Sequence, residues 1–226
     1  MAFGNGPKVV TDGLVLALDA SDQNSYISGS LTWKDLSGNG YNGTFIQSAS
    51  FNNINGGAIS FNGVTSSVSV TSTVLQDSGG SINTWVYPIA PPLGGGYILS
   101  AFGSNSDRFY ITHIGNSIST YRGNPVSSVS FTNSVTYNRW YNLTSTWVSS
   151  SLGSSLSGYL NGVLVGSTPI TASGSTTVFY LGGFSNTGGS QSFSGSIALT
   201  QIYNKPLSAT EVQQNYNALK SRFNLK

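Results

Sequence analysis

The residue types best suited to chemistry in this sequence are aromatic, amide and guanidinium side chains between positions 105 and 124. Tyr110 and Tyr121 fall on predicted strands, and Asn105, Arg108 and Asn124 lie on or beside them. Proteins bind sugars through an aromatic face with amides and hydroxyls at its edge. We therefore predict a carbohydrate site built from these five residues. The alternative is that the tyrosines pack and the asparagines form turns.

Carboxylates are few and dispersed along the chain. Hydrolysis of a glycosidic bond requires two of them, one as the acid and one as the nucleophile or base. The single glutamate, Glu211, is placed to cap a helix, and Asp19 and Asp22 suit the turn after the first strand. The aspartates are Asp12, Asp19, Asp22, Asp35, Asp77 and Asp107. We predict that the chain is not an enzyme.

His113 is the only histidine, and the sequence contains no cysteine. A nucleophilic triad would need His113 beside a hydroxyl in space, which the sequence alone leaves open. On a strand of alternating pattern we interpret His113 as a structural or rim residue. A site with several histidines around one metal ion is excluded within one chain, and so are disulfides and thiolate chemistry.

The elements that position these residues are short strands followed by one helix. Ser208 and Glu211 match a capping box, and one apolar stripe follows it, which predicts a helix over residues 208–223. The stripe consists of Val212, Tyr216, Leu219 and Phe223. Before the helix, Ile197, Leu199 and, after one slip in the alternation, Ile202 indicate a long closing strand.

Turn signals separate many further strands. The dipeptides Asn62-Gly63 and Asn161-Gly162 each lie between two strand-like runs, which predicts two type I′ hairpins. About thirteen strands at short spacing are typical of a β-sandwich. Large aromatic residues among apolar strand neighbours usually anchor such a core. We assign to it Trp33, Trp85, Trp140 and Trp147.

Composition limits the classes of partner. The 226 residues show no internal break, so we predict an N-terminal arm over residues 1–11 and one domain over 12–226. Charged residues make up 7% and the net charge is +2 without a basic cluster, so nucleic acid is not expected as a main partner. No apolar run approaches the roughly 20 residues of a membrane span. The start lacks the pattern of a secretory signal, so we expect synthesis in a cytoplasm.

An ordered set of motifs over about residues 12 to 217 resembles the laminin-G-like branch of the concanavalin A-like lectin/glucanase superfamily. The motifs are Gly13-Leu-Val-Leu-Ala-Leu-Asp19, Trp33-Lys-Asp-Leu-Ser-Gly-Asn-Gly-Tyr-Asn-Gly-Thr44, Gly57-Ala-Ile-Ser-Phe-Asn-Gly63, Ser81-Ile-Asn-Thr-Trp-Val-Tyr-Pro88, Arg139-Trp-Tyr-Asn-Leu-Thr144, Tyr159-Leu-Asn-Gly-Val-Leu-Val-Gly166 and the stretch from Phe193 to Ser208. The resemblance implies an all-β, concanavalin A-like jelly-roll sandwich of two antiparallel sheets with a short C-terminal helix.

The resemblance also bears on catalysis and calcium. Glucanases of the superfamily carry carboxylates two to four residues apart on one strand, and this chain has no such pair. Many related domains bind calcium at the rim of the sandwich, where Asp107 is the one weak candidate. Tight calcium binding requires more than one carboxylate, and Ala198 stands where the family's closing strand often has an aspartate. We predict no cofactor, with calcium at Asp107 as the alternative.

This version of the domain looks most like those in structural proteins of tailed bacteriophages. The resemblance implies a non-enzymatic virion protein that decorates the capsid or tail through contacts with other virion proteins and copies of itself. The alternative is a carbohydrate-binding adhesin module that contacts glycans on the host surface.

Overall fold

The computed structural model describes residues 7–75, 78–90, 95–102, 108–123, 126–149, 153–171, 176–184 and 191–226, with only the backbone of Phe102 and Arg108. Within these residues, sixteen strands form two antiparallel sheets, and one α-helix follows the last strand. Buried side chains from both sheets form the core between them. This arrangement confirms the predicted sandwich with a C-terminal helix.

The helix covers one of the two sheets, which we call the helix-side sheet, and the other is the open sheet. The helix-side sheet contains, in spatial order, β14 (Val163–Pro169), β13 (Ser155–Leu160), β12 (Tyr141–Val148), β7 (Gly79–Pro88), β16 (Ser194–Tyr203), β5 (Ala58–Asn62) and β4 (Ser50–Asn52), with β1 (Leu14–Asp19) also beside β16. The open sheet contains β11 (Ser127–Thr132), β10 (Ser117–Arg122), β9 (Arg108–Ile114), β8 (Gly96–Phe102), β15 (Val178–Leu181), β6 (Ser67–Thr71), β3 (Gly43–Ile46) and β2 (Thr32–Trp33).

Strand β16 lies inside the helix-side sheet and is buried from Gly195 to Tyr203. It pairs with β7 along one edge and with β5 and β1, end to end, along the other. A β-bulge between Ile197 and Leu199 changes which side chains share a face. Ile197 and Ile202 belong to the core between the sheets, whereas Leu199 packs beneath the helix. The slip in the alternation therefore lies before Leu199, not after it as the pattern indicated.

Aromatic side chains fill the space between the sheets. Phe109 packs against the buried Trp147, with ring centroids 5.2 Å apart. Arg122 is also buried, and its Cζ lies 4.7 Å from the centroid of the Trp147 ring. The electron-rich face of an indole attracts a cation, so the guanidinium is part of the core. As predicted, the structure buries all four tryptophans, Trp33, Trp85, Trp140 and Trp147.

Helix α1 spans Ala209–Leu219 and continues as a 3₁₀ turn over Lys220–Phe223. The Ser208 hydroxyl accepts a hydrogen bond from the Glu211 N–H, and the Glu211 carboxylate accepts one from the Ser208 N–H, which confirms the capping box. Trp85 on the sheet stacks with Phe223 at 4.1 Å and with Tyr216 at 5.8 Å between ring centroids. The apolar stripe thus packs on the outer face of the helix-side sheet.

A layer of amides and hydroxyls lies on the same outer face of the helix-side sheet. The Asn83 amide donates to Gln201 Oε1 at 2.9 Å, and Asn83 Oδ1 accepts from Asn142 Nδ2 at 2.7 Å and from Thr144 Oγ1 at 2.9 Å. All four side chains are buried. Because buried polar groups are costly unless they are paired, these hydrogen bonds fix how the neighbouring strands β12, β7 and β16 align.

Arg222, in the 3₁₀ turn after helix α1, links the C-terminal part of the chain to the end of β1 and to the turn between β4 and β5. Its guanidinium pairs with Asp19 Oδ1 at 2.8 Å and donates to the carbonyl oxygens of Asn55 and Gly57 at 2.9 and 2.8 Å. In return, the Asn55 amide donates to the Arg222 carbonyl, and Asn55 Oδ1 accepts from the Trp140 indole. We call this group the Arg222 clamp.

The first described residues run along helix α1. The Val10 N–H donates to Asn215 Oδ1 at 2.7 Å, and the Val10 carbonyl accepts from the Tyr203 hydroxyl at 3.0 Å. Burial raises the pKa of Tyr203 to about 12, so this hydroxyl keeps its proton and remains a donor. Lys205 forms ion pairs with both Asp12 and Glu211. Residues 8–12 are therefore held by helix α1 and by Tyr203 and Lys205, which precede it.

The two Asn-Gly dipeptides have different outcomes. Asn161-Gly162 joins β13 to β14 with positive φ at both residues, which confirms that hairpin. The prediction for Asn62-Gly63 is wrong, because β5 before it belongs to the helix-side sheet and β6 after it to the open sheet. Asn62 Oδ1 accepts hydrogen bonds from the backbone N–H groups of residues 64–66, which turn the chain from one sheet to the other.

His113 is fully buried, which agrees with the structural role and excludes the rim position among the two that were predicted. Its neighbours include Tyr137 and Phe193, with ring centroids 5.8 and 6.2 Å away. Neither ring nitrogen has a well-aligned hydrogen bond among the described residues, and a contact with the Gly115 backbone raises the pKa less than burial lowers it. Burial lowers the pKa of His113 to about 4, so the ring is neutral at neutral pH.

Replacing Arg222 with alanine removes the Arg222 clamp. We expect Arg222→Ala to lower the free energy of unfolding by about 3 kcal/mol, because it leaves a half-buried carboxylate and two carbonyl groups without their charged donor. Urea denaturation followed by tryptophan fluorescence measures this change. Lys226→Ala, which removes an exposed cation at the same end, serves as the control and should cost almost nothing. Equal stability of the two variants would contradict the clamp.

His113 makes stability depend on pH. Its pKa is about 4 in the folded chain and 6.5 ordinarily, so the unfolded chain binds the proton more tightly. The stabilising effect is complete above pH 6.5 and is lost as the pH falls towards 4, by up to about 3 kcal/mol. We expect His113→Leu to remove this part of the pH dependence in denaturation measured across that window. Parallel profiles of the two proteins would refute the assignment.

Candidate functional site

Four aromatic side chains form a continuous row on the open sheet, which we call the aromatic ladder: Tyr121, Tyr110, Tyr97 and Phe184. Tyr121 and Tyr110 are stacked, with ring centroids 4.7 Å apart and 24° between the planes. Tyr97 meets Tyr110 edge to face at 5.6 Å, and Phe184 lies 5.2 Å from Tyr97. The tyrosines are half-buried and Phe184 is 41% exposed. The ladder therefore presents aromatic surface to the solvent.

Strand register explains how the ladder forms. Tyr121 on β10 pairs directly with Tyr110 on β9, and Tyr110 pairs with Ser100 on β8. Both tyrosines alternate with side chains that point into the core, so they face outwards. A bulge in β8 between Tyr97 and Leu99 lets Tyr97 share the outer face with Ser100, three residues later.

Hydroxyl-bearing residues extend this row across the whole open sheet. Successive strand pairings align eight residues, of which three are tyrosines and the rest are serines and threonines. In order from one edge to the other they are Ser128, Tyr121, Tyr110, Ser100, Tyr180, Ser69, Thr44 and Thr32. None of these side chains carries a charge at neutral pH. Ser100 is fully buried and its hydroxyl donates to the carbonyls of Gly183 and Phe184, so the outer face of the open sheet offers the ring faces and the other hydroxyl groups of this row.

The structure brings together two of the five predicted sugar-binding residues. Tyr110 and Tyr121 are stacked partners, and Arg108 begins β9, two residues before Tyr110. The side chain of Arg108 and all of Asn105 and Asn124 lie outside the described residues. So does Asp107, the candidate calcium ligand, and its role stays a prediction.

Sequence reasoning missed Tyr97, Tyr180 and Phe184. Tyr97 could not be placed because the bulge in β8 breaks the alternation that assigns side chains to faces. Tyr180 alternates with the buried Phe179 and Leu181, so its outward position could have been read from the pattern. Phe184 follows the last residue of β15, where periodicity gives no direction.

Carboxylates in the described residues are committed to structural contacts. Asp19 pairs with Arg222, and Asp35 accepts hydrogen bonds from the N–H groups of residues 17, 37 and 41. The hydrogen bond from Lys205 holds the pKa of Glu211 below its usual value, in keeping with its role at the helix cap. In the same part of the chain, no three histidine, cysteine or acidic side chains are grouped to hold a metal ion. None of its helices is long and apolar enough to span a membrane.

Comparison with solved structures finds the same fold in botulinum neurotoxin receptor-binding domains. The type G domain is 23% identical with a TM-score of 0.66, and the alignment covers 91% of this chain and 51% of that one. The structure described as "Cell entry of botulinum neurotoxin type C is dependent upon interaction with two ganglioside molecules" is 19% identical with a TM-score of 0.70, covering 93% and 52%. The type DC domain in complex with rat synaptotagmin II is 19% identical with a TM-score of 0.69, covering 93% and 52%. The chain thus spans about half the length of these domains.

The family is shown by the sequence itself. None of the curated proteins compared with the chain matches it. The laminin-G model described as concanavalin A-like lectin/glucanases superfamily, however, matches residues 62–213, which run from the end of β5 into helix α1. This match covers most of both sheets and includes the strands that carry Tyr97, Tyr110 and Tyr121. The chain therefore belongs to the laminin-G-like family of the concanavalin A-like lectin/glucanase superfamily.

Proposed function

We propose that this chain is a carbohydrate-binding module that stacks sugar rings on the aromatic ladder. The observation that carries the proposal is the partly exposed row of Tyr97, Tyr110, Tyr121 and Phe184 on the open sheet, flanked by neutral hydroxyl groups. A pyranose has an apolar face of C–H groups and an edge of hydroxyls. Aromatic faces cover the first, and neutral donors and acceptors bind the second.

The structural relatives support a ligand of this class. Type C neurotoxin is described as depending on two ganglioside molecules for cell entry, and the type DC domain has been solved in complex with SialylT. Gangliosides are glycolipids, so one fold relative at least is described with a sugar-bearing partner. For this chain, glycans of a host surface remain the proposed ligand, as the adhesin hypothesis states.

A second proposal concerns protein contacts within a virion. Strand β14 forms the outer edge of the helix-side sheet and presents Val163, Leu164 and Val165 with exposed fractions of 64%, 54% and 41%. The strand carries no charged residue, although charges commonly prevent such an edge from pairing with another chain. This edge supports the phage hypothesis, in which the chain binds other virion proteins or copies of itself on a capsid or tail.

Loss of one ladder ring should weaken sugar binding. We expect Tyr121→Ala to reduce affinity about tenfold or more for any glycan that a glycan array identifies, which corresponds to roughly 1.4 kcal/mol. Tyr121→Phe is the matched control and should retain most of the affinity, because it keeps the ring face. Isothermal titration measures both, with circular dichroism to verify folding. Unchanged binding by Tyr121→Ala would exclude the aromatic ladder as the sugar-binding surface. Loss of binding by the wild-type protein when a chelator is added would instead support Asp107 as a calcium ligand.

The edge of β14 can be tested separately. If copies of the chain pair through this edge, light scattering of the purified protein should show a dimer or larger species. Leu164→Lys should shift the population to monomer, because a lysine at a strand edge opposes pairing. Val64→Lys, at a similarly exposed apolar position in a turn, is the control and should leave the mass unchanged. A monomeric wild-type protein would contradict self-association through this edge.

A further inference from the structure

A concavity lies at the lateral edge of the sandwich opposite to β11 and β14. There, the edge strands β2 and β4 of the two sheets are only two and three residues long. The loop after β1 and the turn after β4 enclose a cavity of about 630 Å³, which we call the Tyr26 cleft. A neighbouring cavity of about 310 Å³ shares Tyr26, Ser28 and Phe51 with it. Pockets for small ligands fall in the range of roughly 300–1,000 Å³.

One wall of the Tyr26 cleft is aromatic and rigid. The Tyr26 ring is stacked between Phe45 and Phe51, with centroid separations of 5.4 and 5.2 Å. Its hydroxyl donates to the Ser30 carbonyl, which fixes the ring within its own loop. Phe51 is half-buried and Ile27 is 63% exposed, so both present apolar surface to the cleft. This wall is formed before any ligand arrives.

The remaining lining of the cleft carries neutral polar groups. Ser21, Gln23, Asn24 and Asn53 line it, and all four are exposed. Asn24 is held by Asp22, whose Oδ1 accepts from its backbone N–H and its side-chain amide. Gln23 and Asn53 make no side-chain hydrogen bond to another described residue. Two amides therefore face the cleft with donors and acceptors available.

Both parts of the lining are held in place by contacts elsewhere in the fold. The Arg222 clamp fixes the carbonyls of Asn55 and Gly57, directly after Asn53. Gly57 packs so closely on the start of the loop that a Cβ there would lie 2.5 Å from the Ala20 carbonyl oxygen. The loop and the turn therefore keep a fixed separation, and little ordering is required when a ligand binds.

The geometry points to the Tyr26 cleft as a second sugar site, which takes one or two rings of a neutral saccharide. A cleft lined by aromatic and aliphatic surface together with amides and hydroxyls matches the two sides of a pyranose ring. The residues that line the cleft carry no charge, so a phosphate or carboxylate ligand would find no cation there. The inference shares the ligand class of the proposed function but concerns a different set of residues.

Titrations followed by nuclear magnetic resonance can detect binding at the Tyr26 cleft and at the aromatic ladder separately in the full chain. The probes are methyl glycosides of glucose, galactose, mannose and N-acetylglucosamine, and the signals are the amide groups of Gln23, Asn24 and Asn53 and the backbone amides of Tyr110 and Tyr121. We expect at least one probe to shift the cleft signals with millimolar affinity. The double variant Gln23→Ala and Asn53→Ala should weaken this binding at least tenfold.

The control and the outcomes keep the two proposals distinct. Gln213→Ala removes an exposed amide on helix α1, outside the cleft, and should leave the titration unchanged. Shifts confined to the aromatic ladder would overturn the cleft and leave the proposed function standing. Shifts confined to the cleft would support it and overturn the ladder. Unshifted cleft signals with every probe, or equal affinity in the double variant, would refute this inference.

Discussion

The burial of β16 on both of its faces is the constraint on which the rest of the structure depends. Strand β16 contributes Ile197 and Ile202 to the core between the sheets, and Ala198 and Leu199 to the cluster beneath the helix. A strand of this kind requires cover on both sides, and the C-terminal helix supplies the outer layer. Since the helix occupies one sheet, the outer face of the other stays open. The aromatic ladder lies on that face, which the helix leaves uncovered and where residues 183–184 shield Ser100 and one side of Tyr97.

Charge is used sparingly and in specific places. The ion pairs of Arg222 with Asp19 and of Lys205 with Asp12 and Glu211 all lie where the helix and the chain ends meet the helix-side sheet. Arg122 is placed in the core against Trp147. Few charges then remain for the open sheet. A surface of hydroxyls, amides and rings is suited to neutral, hydroxyl-rich ligands and is insensitive to salt, because screening acts on charges.

Signals that act locally could be read from the sequence, and those that depend on the path of the chain could not. The capping box at Ser208, the apolar stripe of the helix and the Asn161-Gly162 hairpin each rest on neighbouring residues, and all were predicted correctly. Asn62-Gly63 has the same local chemistry but joins strands of different sheets, which no short-range pattern reveals. The bulge in β16 moved Leu199 away from the face of Ile197, and the bulge in β8 left Tyr97 without a predicted face, because one extra residue reverses the alternation. The strands that carry Tyr110 and Tyr121 were assigned correctly, so these two residues could be placed in one predicted site. The Tyr26 cleft could not be predicted, because its lining comes from the loop after β1, from β4 and from the turn after β4.

The attachment of residues 8–12 to helix α1 has a consequence for how the molecule is displayed. Lys8 and Val10 are bound by Gln214 and Asn215, and the last residues of the chain follow the same helix. Both ends of the described chain therefore lie on the side of the sandwich away from the open sheet. A tag, a fused partner or a sensor chip coupled at the C-terminus would leave the open sheet facing the solution. Immobilisation through the C-terminus is accordingly the orientation in which surface-binding experiments keep the ladder accessible.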